Sequence, residues 1–330
     1  MPLKNADAYL EECLKSNSDQ SETNWELLVA DDHSTDNSRE ILDSFQKKDS
    51  RIRVFTSEGR GIIAALQTAY SYAKGEFIHR MDADDCMPIH KLRLLKNKLL
   101  ESAHGTVVTG KVHYFSEGQL SEGYQNYENW LNALSENESH WKYLYKECVI
   151  ASPAWMIRRE DFDASGAFNS SLYPEDYDLV FRWYAKGFKV KAVNEIVHYW
   201  REHAARTSRL HEHYQQKAFF RLKLNYFFKL HYDSNRPLVV FGAGLKGKIT
   251  LQLLNEKGKL DAYWVNTIED KSWTVPGEGP LYQPLSFKML PSMKAPQIIV
   301  VVADADKQKK IKAFLATQNW EEWHQYFFFS

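Results

Sequence analysis

Three acidic clusters hold the side chains best suited to chemistry. In Met81-Asp82-Ala83-Asp84-Asp85, three carboxylates occupy four positions directly after an expected buried strand. Like charges this close raise one another's pKa unless a cation neutralises them, and a hard divalent ion with oxygen ligands does so. The alternative is a solvated acidic turn in which Asp84 or Asp85 caps a following helix. Asp31-Asp32 ends an apolar run. Its carboxylates can accept hydrogen bonds from a nucleobase or ribose, or cap the turn-rich Asp-His-Ser-Thr-Asp-Asn-Ser segment. Pro174-Glu175-Asp176-Tyr177-Asp178 opens a helical pattern, where the helix dipole favours ionised carboxylates. That suits a general base, and it is also an ordinary acidic first turn.

Alternating elements must position these clusters. The pattern predicts a helix over 5–16 with Asn5 as its cap, and a strand at 25–30 that delivers Asp31-Asp32. A helix over 37–47, a strand at 52–56, a helix over 62–74 and a strand at 76–81 follow, the last delivering Asp82. Such alternation implies a mostly parallel sheet covered on both faces, with ligands at the carboxyl ends of its strands. A helix at 88–102 and a strand at 106–114 precede a looser polar and aromatic stretch, 116–147, suited to a substrate-facing insertion. A strand at 155–158, a helix at 175–186, a strand at 190–192 and a helical run over 204–232 close a first domain, 1–232. Residues 233–237 read as a linker, and 238–330 as a second domain.

The second domain opens with the strand Leu238-Val239-Val240-Phe241 and the turn Gly242-Ala243-Gly244-Leu245-Lys246-Gly247, a GxGxxG. A dinucleotide site would need an acid at the end of the next strand, yet 263–266 ends in Asn266, with Glu269 and Asp270 only further on. The glycines either bind a nucleotide or permit a tight strand-to-helix turn.

With 330 residues, 44% of them apolar, the chain can bury two cores. Forty-two basic residues balance 43 acidic ones, which argues against nucleic acid as a partner and leaves binding to local sites. Three cysteines without zinc-type spacing fit a reducing compartment, and the charged N-terminal dozen residues lack a signal peptide's apolar region. A cytoplasmic protein is expected. Aromatic and basic residues alternate over 219–232, which suits core packing or, less often, peripheral contact with the inner face of the membrane.

Together, in this order, the motifs resemble glycosyltransferase family 2. The match runs from Val29 to Ser38, from Gly61 through His79-Arg80-Met81 to Asp85, and from Glu175 to Arg182, within roughly residues 1–210. The resemblance implies the GT-A nucleotide-diphospho-sugar transferase fold, an α/β architecture with a mixed, mostly parallel sheet. The second domain resembles the small Rossmann-like domains appended to some bacterial members. The implied activity is inverting transfer of a sugar from a nucleotide-sugar donor, a UDP-sugar first among them, to a glycan or lipid-linked acceptor in bacterial surface-polysaccharide synthesis. Asp31 and Asp32 would contact the nucleoside, and Asp82 and Asp84 the ribose and a Mn²⁺ or Mg²⁺ ion. His203 matches a histidine that completes the metal site in some members. Asp176 would be the base, with Glu175 less favoured. A homo-oligomer is compatible with all of this. Two departures stand out. The chain starts at Met1-Pro2-Leu3, within the family's first strand, and His33 replaces a usual glycine. The alternative is therefore a truncated GT-A-like protein that binds a nucleotide or partner without turnover.

Overall fold

Leu10, Cys13, Leu14 and Asn17 recur at helical spacing and form the buried face of α1 (Asp7–Ser18). Asn5 does not cap it. Ala6 stands at that position, while Asn5 adopts a positive φ of 50° and accepts a hydrogen bond from the Thr35 amide. The computed structural model describes residues 1–204, 206, 212–259, 261–265 and 283–330. It divides into two units, Met1–Lys142 with Cys148–Leu210, and Tyr143–Glu147 with His211–Ser330.

In the first unit, Pro2–Leu3 forms a short strand, β1, parallel to β2 (Leu27–Asp31), which is parallel to β3 (Ile52–Thr56). Every residue of β2 is buried, as a strand covered on both faces must be. Helices α2 (Ser38–Lys48) and α3 (Ile62–Ser71) follow β2 and β3. A second sheet has the order β4 (Phe77–His79), β6 (Trp155–Arg158), β5 (Thr106–Phe115), β7 (Lys189–Arg201). Strand β6 runs antiparallel to both neighbours, and β5 pairs with β7 in parallel. Helix α4 spans Lys91–Leu100, so neither Asp84 nor Asp85 caps it.

Two elements of this unit near the acidic loops differ most from expectation. The stretch 116–147 contains a helix, α5 (Glu122–Asn137), whose Leu131, Leu134 and Ser135 are buried. Strand β7 continues far beyond 192, and this extension carries His198 and Arg201 toward the acidic loop. Helices α6 (Arg159–Ala164) and α7 (Glu175–Ala185) complete the unit. Trp155 on β6 meets Trp183 on α7 edge-on at 5.1 Å, both fully buried. Each buries on the order of 200 Å², worth about 5 kcal/mol of transfer free energy as an upper figure. The C-terminal half of α7 is therefore packed against β6.

In the second unit, α8 (Gln216–Leu230) takes the place of the longer run expected over 204–232, of which 205 and 207–211 lie outside the described residues. Phe220, Leu222, Leu224, Tyr226 and Phe227 of its aromatic stripe are buried. Five strands lie in parallel in the order β10 (Gln283–Pro284), β9 (Tyr263–Val265), β8 (Leu238–Phe241), β11 (Gln297–Val300), β12 (Tyr326–Phe328). Helices α9 (Leu245–Glu256) and α10 (Ala305–Thr317) flank them, and the core gathers Val239, Phe241, Ile298, Val300, Ile311 and Leu315. A Cβ on Gly247 would stand 1.9 Å from the Gly242 carbonyl oxygen, so only glycine lets α9 start so close to the turn. The Trp264 indole closes the same turn by donating to that oxygen at 3.0 Å. Asn266, Glu269 and Asp270 lie outside the described residues. Among the described residues, no helix is long and apolar enough to cross a membrane.

Candidate active site

The sequence ends β2 at Asp31 and β4 at His79, so both acidic loops leave the carboxyl ends of strands. Asp31 is a turn former: its Oδ1 accepts the Ser34 amide at 2.9 Å. His33, in the same turn, has a φ of 55°, the left-handed conformation expected where glycine is usual. Asp32 behaves differently. Its Oδ2 accepts the Gly61 amide at 2.9 Å and lies 3.4 Å from Lys4 Nζ, while its buried Oδ1 has no partner among the described residues. An orphaned carboxylate oxygen is costly and marks a place for a ligand donor. Gly61 has a φ of 89°, and a Cβ there would lie 3.7 Å from the Tyr173 hydroxyl, placing the loop before α7 beside Asp32. Burial, then the charges of Glu175 and Asp32, raise the pKa of Tyr173, so this ring feels both segments.

The second cluster divides its labour. Asp85 is a buried anchor, 1% exposed, accepting the Arg201 amide at 2.8 Å and lying 2.9 Å from His198 Nε2. The buried Lys91 ammonium donates to the Pro153 carbonyl at 2.7 Å and to His198 Nδ1 at 3.2 Å, forming a line Lys91–His198–Asp85 behind the loop. Burial, then the Asp82 charge, pushes Asp85 up to about 7. Burial pulls Lys91 down to about 7 despite Asp85. Arg201 Nε also donates to the Asp84 carbonyl at 2.8 Å, and its guanidinium is paired with Glu12.

Asp82 and Asp84 are partly exposed, unlike Asp85. Asp82 Oδ1 accepts Arg80 Nε at 2.8 Å; burial opposes its ionisation, but Arg80 prevails and holds its pKa below the usual carboxylate value. Asp84 is raised by burial and by the charges of Asp85 and Asp82. Its Oδ2 lies 2.9 Å from His203 Nε2, although the two residues are 119 positions apart. His203 Nδ1 is buried without a partner among the described residues. A carboxylate made reluctant by like charges, touching an imidazole, fits a divalent cation. Among the described residues no group of three or more His, Cys, Asp or Glu side chains could hold a metal. Asp84 and His203 are therefore the two side chains that would contribute to a cation site here.

In the third cluster, Glu175 is tied down, its Oε1 accepting Arg80 Nη1 at 3.0 Å in a buried pair. Asp178 is paired with Arg182 at 2.9 Å. Asp176 is half-buried, and its Oδ1 accepts the adjacent Tyr177 amide at 2.8 Å. Burial, then the Glu175 charge, pushes Asp176 up to about 7, within a base's working range. Residues that the sequence did not single out are Arg80, Lys91, His198, Arg201 and Tyr173. Of these, Arg80 lies in the segment before Asp82 that matches the family and Arg201 lies two residues before His203, while Lys91, His198 and Tyr173 carry no such signal.

The glycosyl transferase family 2 model matches residues 1–166. Glycosyltransferase GlyG of Streptococcus pneumoniae serotype 4 is 26% identical over 209 residues, covering 61% of this chain and 69% of GlyG. The Escherichia coli UDP-Glc:alpha-D-GlcNAc-diphosphoundecaprenol beta-1,3-glucosyltransferase WfgD is 39% identical over 103 residues, covering 31% of this chain and 40% of its own. The chain therefore spans about two thirds of one relative and less than half of the other. Among solved structures, the mannosyltransferase PcManGT from Pyrobaculum calidifontis, in complex with GDP-Man and Mn²⁺, superposes with a TM-score of 0.51 at 19% identity, covering 69% of this chain and 61% of that one. With that fold, a family match over half of its length and these acidic motifs in order, the chain belongs to glycosyl transferase family 2 and adopts the GT-A architecture.

Proposed function

We propose that the protein is an inverting glycosyltransferase that moves a sugar from a nucleotide-sugar donor to an acceptor hydroxyl. Asp32, with its orphaned oxygen, takes an N–H or O–H of the nucleoside, and Asp31 shapes the turn that presents it. Asp84 and His203 would hold Mn²⁺ or Mg²⁺, and Asp82 would contact the ribose. The bound ion would neutralise charge on the departing diphosphate. Asp176 accepts the acceptor's hydroxyl proton as its oxygen forms a bond to the anomeric carbon, opposite the breaking bond to the nucleoside diphosphate. The observation that carries this assignment is the meeting of Asp84 with His203 at 2.9 Å, with Asp82 close enough for its charge to act on Asp84.

A UDP-sugar and a glycan or lipid-linked acceptor are the substrate classes we favour, supported by the donor and acceptor in the name of WfgD. Such an acceptor would bring the protein to the inner face of a membrane. We assign residues 238–330 to a Rossmann-like domain with a structural, regulatory or acceptor-side role, supported by its parallel strands and by a glycine turn that the close approach of Gly247 to Gly242 explains on packing grounds. The test is Asp176→Asn. Nucleoside diphosphate release from a panel of UDP-, GDP- and dTDP-sugars should be lost while calorimetric donor binding persists. Wild-type turnover by this variant would remove Asp176 from the base role.

A further inference from the structure

Arg80 is 6% exposed, yet its guanidinium serves two carboxylates on different segments. Nε donates to Asp82 at 2.8 Å, and Nη1 donates to Glu175, 95 residues away, at 3.0 Å. The planar fork of arginine can hold two acceptors at fixed angles, which a lysine ammonium cannot. Glu175 is 4% exposed at its side chain, so both members of the pair are taken out of water. Asp176 follows directly in the chain, on the first turn of α7.

Resting on the transferase assignment above, we propose that Arg80 and Glu175 are positioning residues. Their buried ion pair ties the first turn of α7 to the loop of Asp82 and Asp84, fixing the spacing between the base and the diphosphate-binding carboxylates. Glu175 is committed to that tie and does not take the acceptor's proton. The charged groups facing Asp176 are Glu175, which with burial raises its proton affinity, Arg80, which lowers it, and Asp82, which adds to the rise. Asp178 on the same helix is paired with Arg182, and Tyr173 in the preceding loop lies near Glu175.

The experiment measures nucleoside diphosphate release as a function of pH, using whichever member of the UDP-, GDP- and dTDP-sugar panel the wild type consumes, with water or added glycan as acceptor. Donor binding with Mn²⁺ is titrated in parallel. Glu175→Gln keeps a hydrogen-bond acceptor but removes a negative charge, so Asp176 loses its proton at lower pH. The acid limb should move down by about 1 pH unit, raising the ratio of rates at pH 6 and pH 8 up to about tenfold. Its rate at pH 8 should fall far less than the roughly 10²–10⁴-fold that losing a general base costs. Glu175→Ala and Arg80→Lys loosen the tie, and the maximal rate should fall on the order of 10²-fold while each variant still binds donor. Loss of turnover in Glu175→Gln as complete as in Asp176→Asn would make Glu175 the proton acceptor and overturn the inference. Lost turnover in Asp176→Asn with an unmoved limb in Glu175→Gln would overturn the inference alone. Wild-type turnover in Asp176→Asn would overturn the base assignment and the positioning role together.

Discussion

Replacing Lys91 with methionine should destabilise the first unit sharply. Methionine keeps most of the stem's volume, so the cavity contribution is small. What is lost is the ammonium that donates to the Pro153 carbonyl and His198 Nδ1, both in the interior. Orphaning two buried acceptors costs about 1–3 kcal/mol each, and removing one partner of a buried ionic network about 3–5 kcal/mol. These overlap, so we expect about 3–5 kcal/mol in total, which at roughly 2–4 °C per kcal/mol lowers the melting temperature by about 10 °C. Thermal unfolding at constant pH followed by circular dichroism gives the shift. A double-mutant cycle with Asp85→Asn should return a coupling of about 1 kcal/mol or more, since His198 joins the two side chains. A Lys91→Met protein within 1 kcal/mol of wild type, with no coupling to Asp85, would refute the reasoning that this line braces the loop carrying Asp82 and Asp84.

Further consequences separate the parts of the site. Asp84→Ala and His203→Ala should each remove at least about a tenfold enhancement of donor affinity by Mn²⁺ while leaving metal-free binding largely intact, as isothermal titration can report. Asp32→Ala should weaken donor binding by about 10–100-fold to the same extent with and without Mn²⁺, since its contact is with the nucleoside; an effect confined to the metal-loaded protein would move Asp32 out of that role. Gly247→Ala must displace the turn, because its Cβ would stand 1.9 Å from the Gly242 oxygen. Calorimetry should then register a loss of about 1–3 kcal/mol or more in the second unit, whereas an unchanged unfolding profile would contradict that close approach.

Much of the architecture was legible because it rests on local signals. The apolar run of β2 and the acidic residue at its end follow from strand length and from what carboxyl ends of parallel strands bind, whereas β4, Phe77–His79, pairs antiparallel with β6. Helix α5 was hidden because its tyrosine, asparagine and glutamate residues blur the apolar period to Leu131, Leu134 and Ser135. Strand β7 was foreshortened because Asn194 and Glu195 interrupt it, near shifts in its register with β5. Lys91 opens Lys-Leu-Arg-Leu-Leu-Lys, a pattern that reads as a solvated face, and only the tertiary approach of His198 shows why this lysine is buried. The contact of Asp84 with His203 crosses 119 residues, beyond any spacing rule, and was reachable only through family likeness. Glu175 and Asp176 are adjacent and chemically alike; Arg80, which takes one and leaves the other, separates them.

Calorimetric titration of the wild-type protein with UDP-, GDP- and dTDP-sugars, with and without Mn²⁺, tests the central claim most directly. At least one nucleotide sugar should bind, and more tightly when Mn²⁺ is present. Binding of none of them under either condition would contradict a donor site built from Asp32, Asp82, Asp84 and His203.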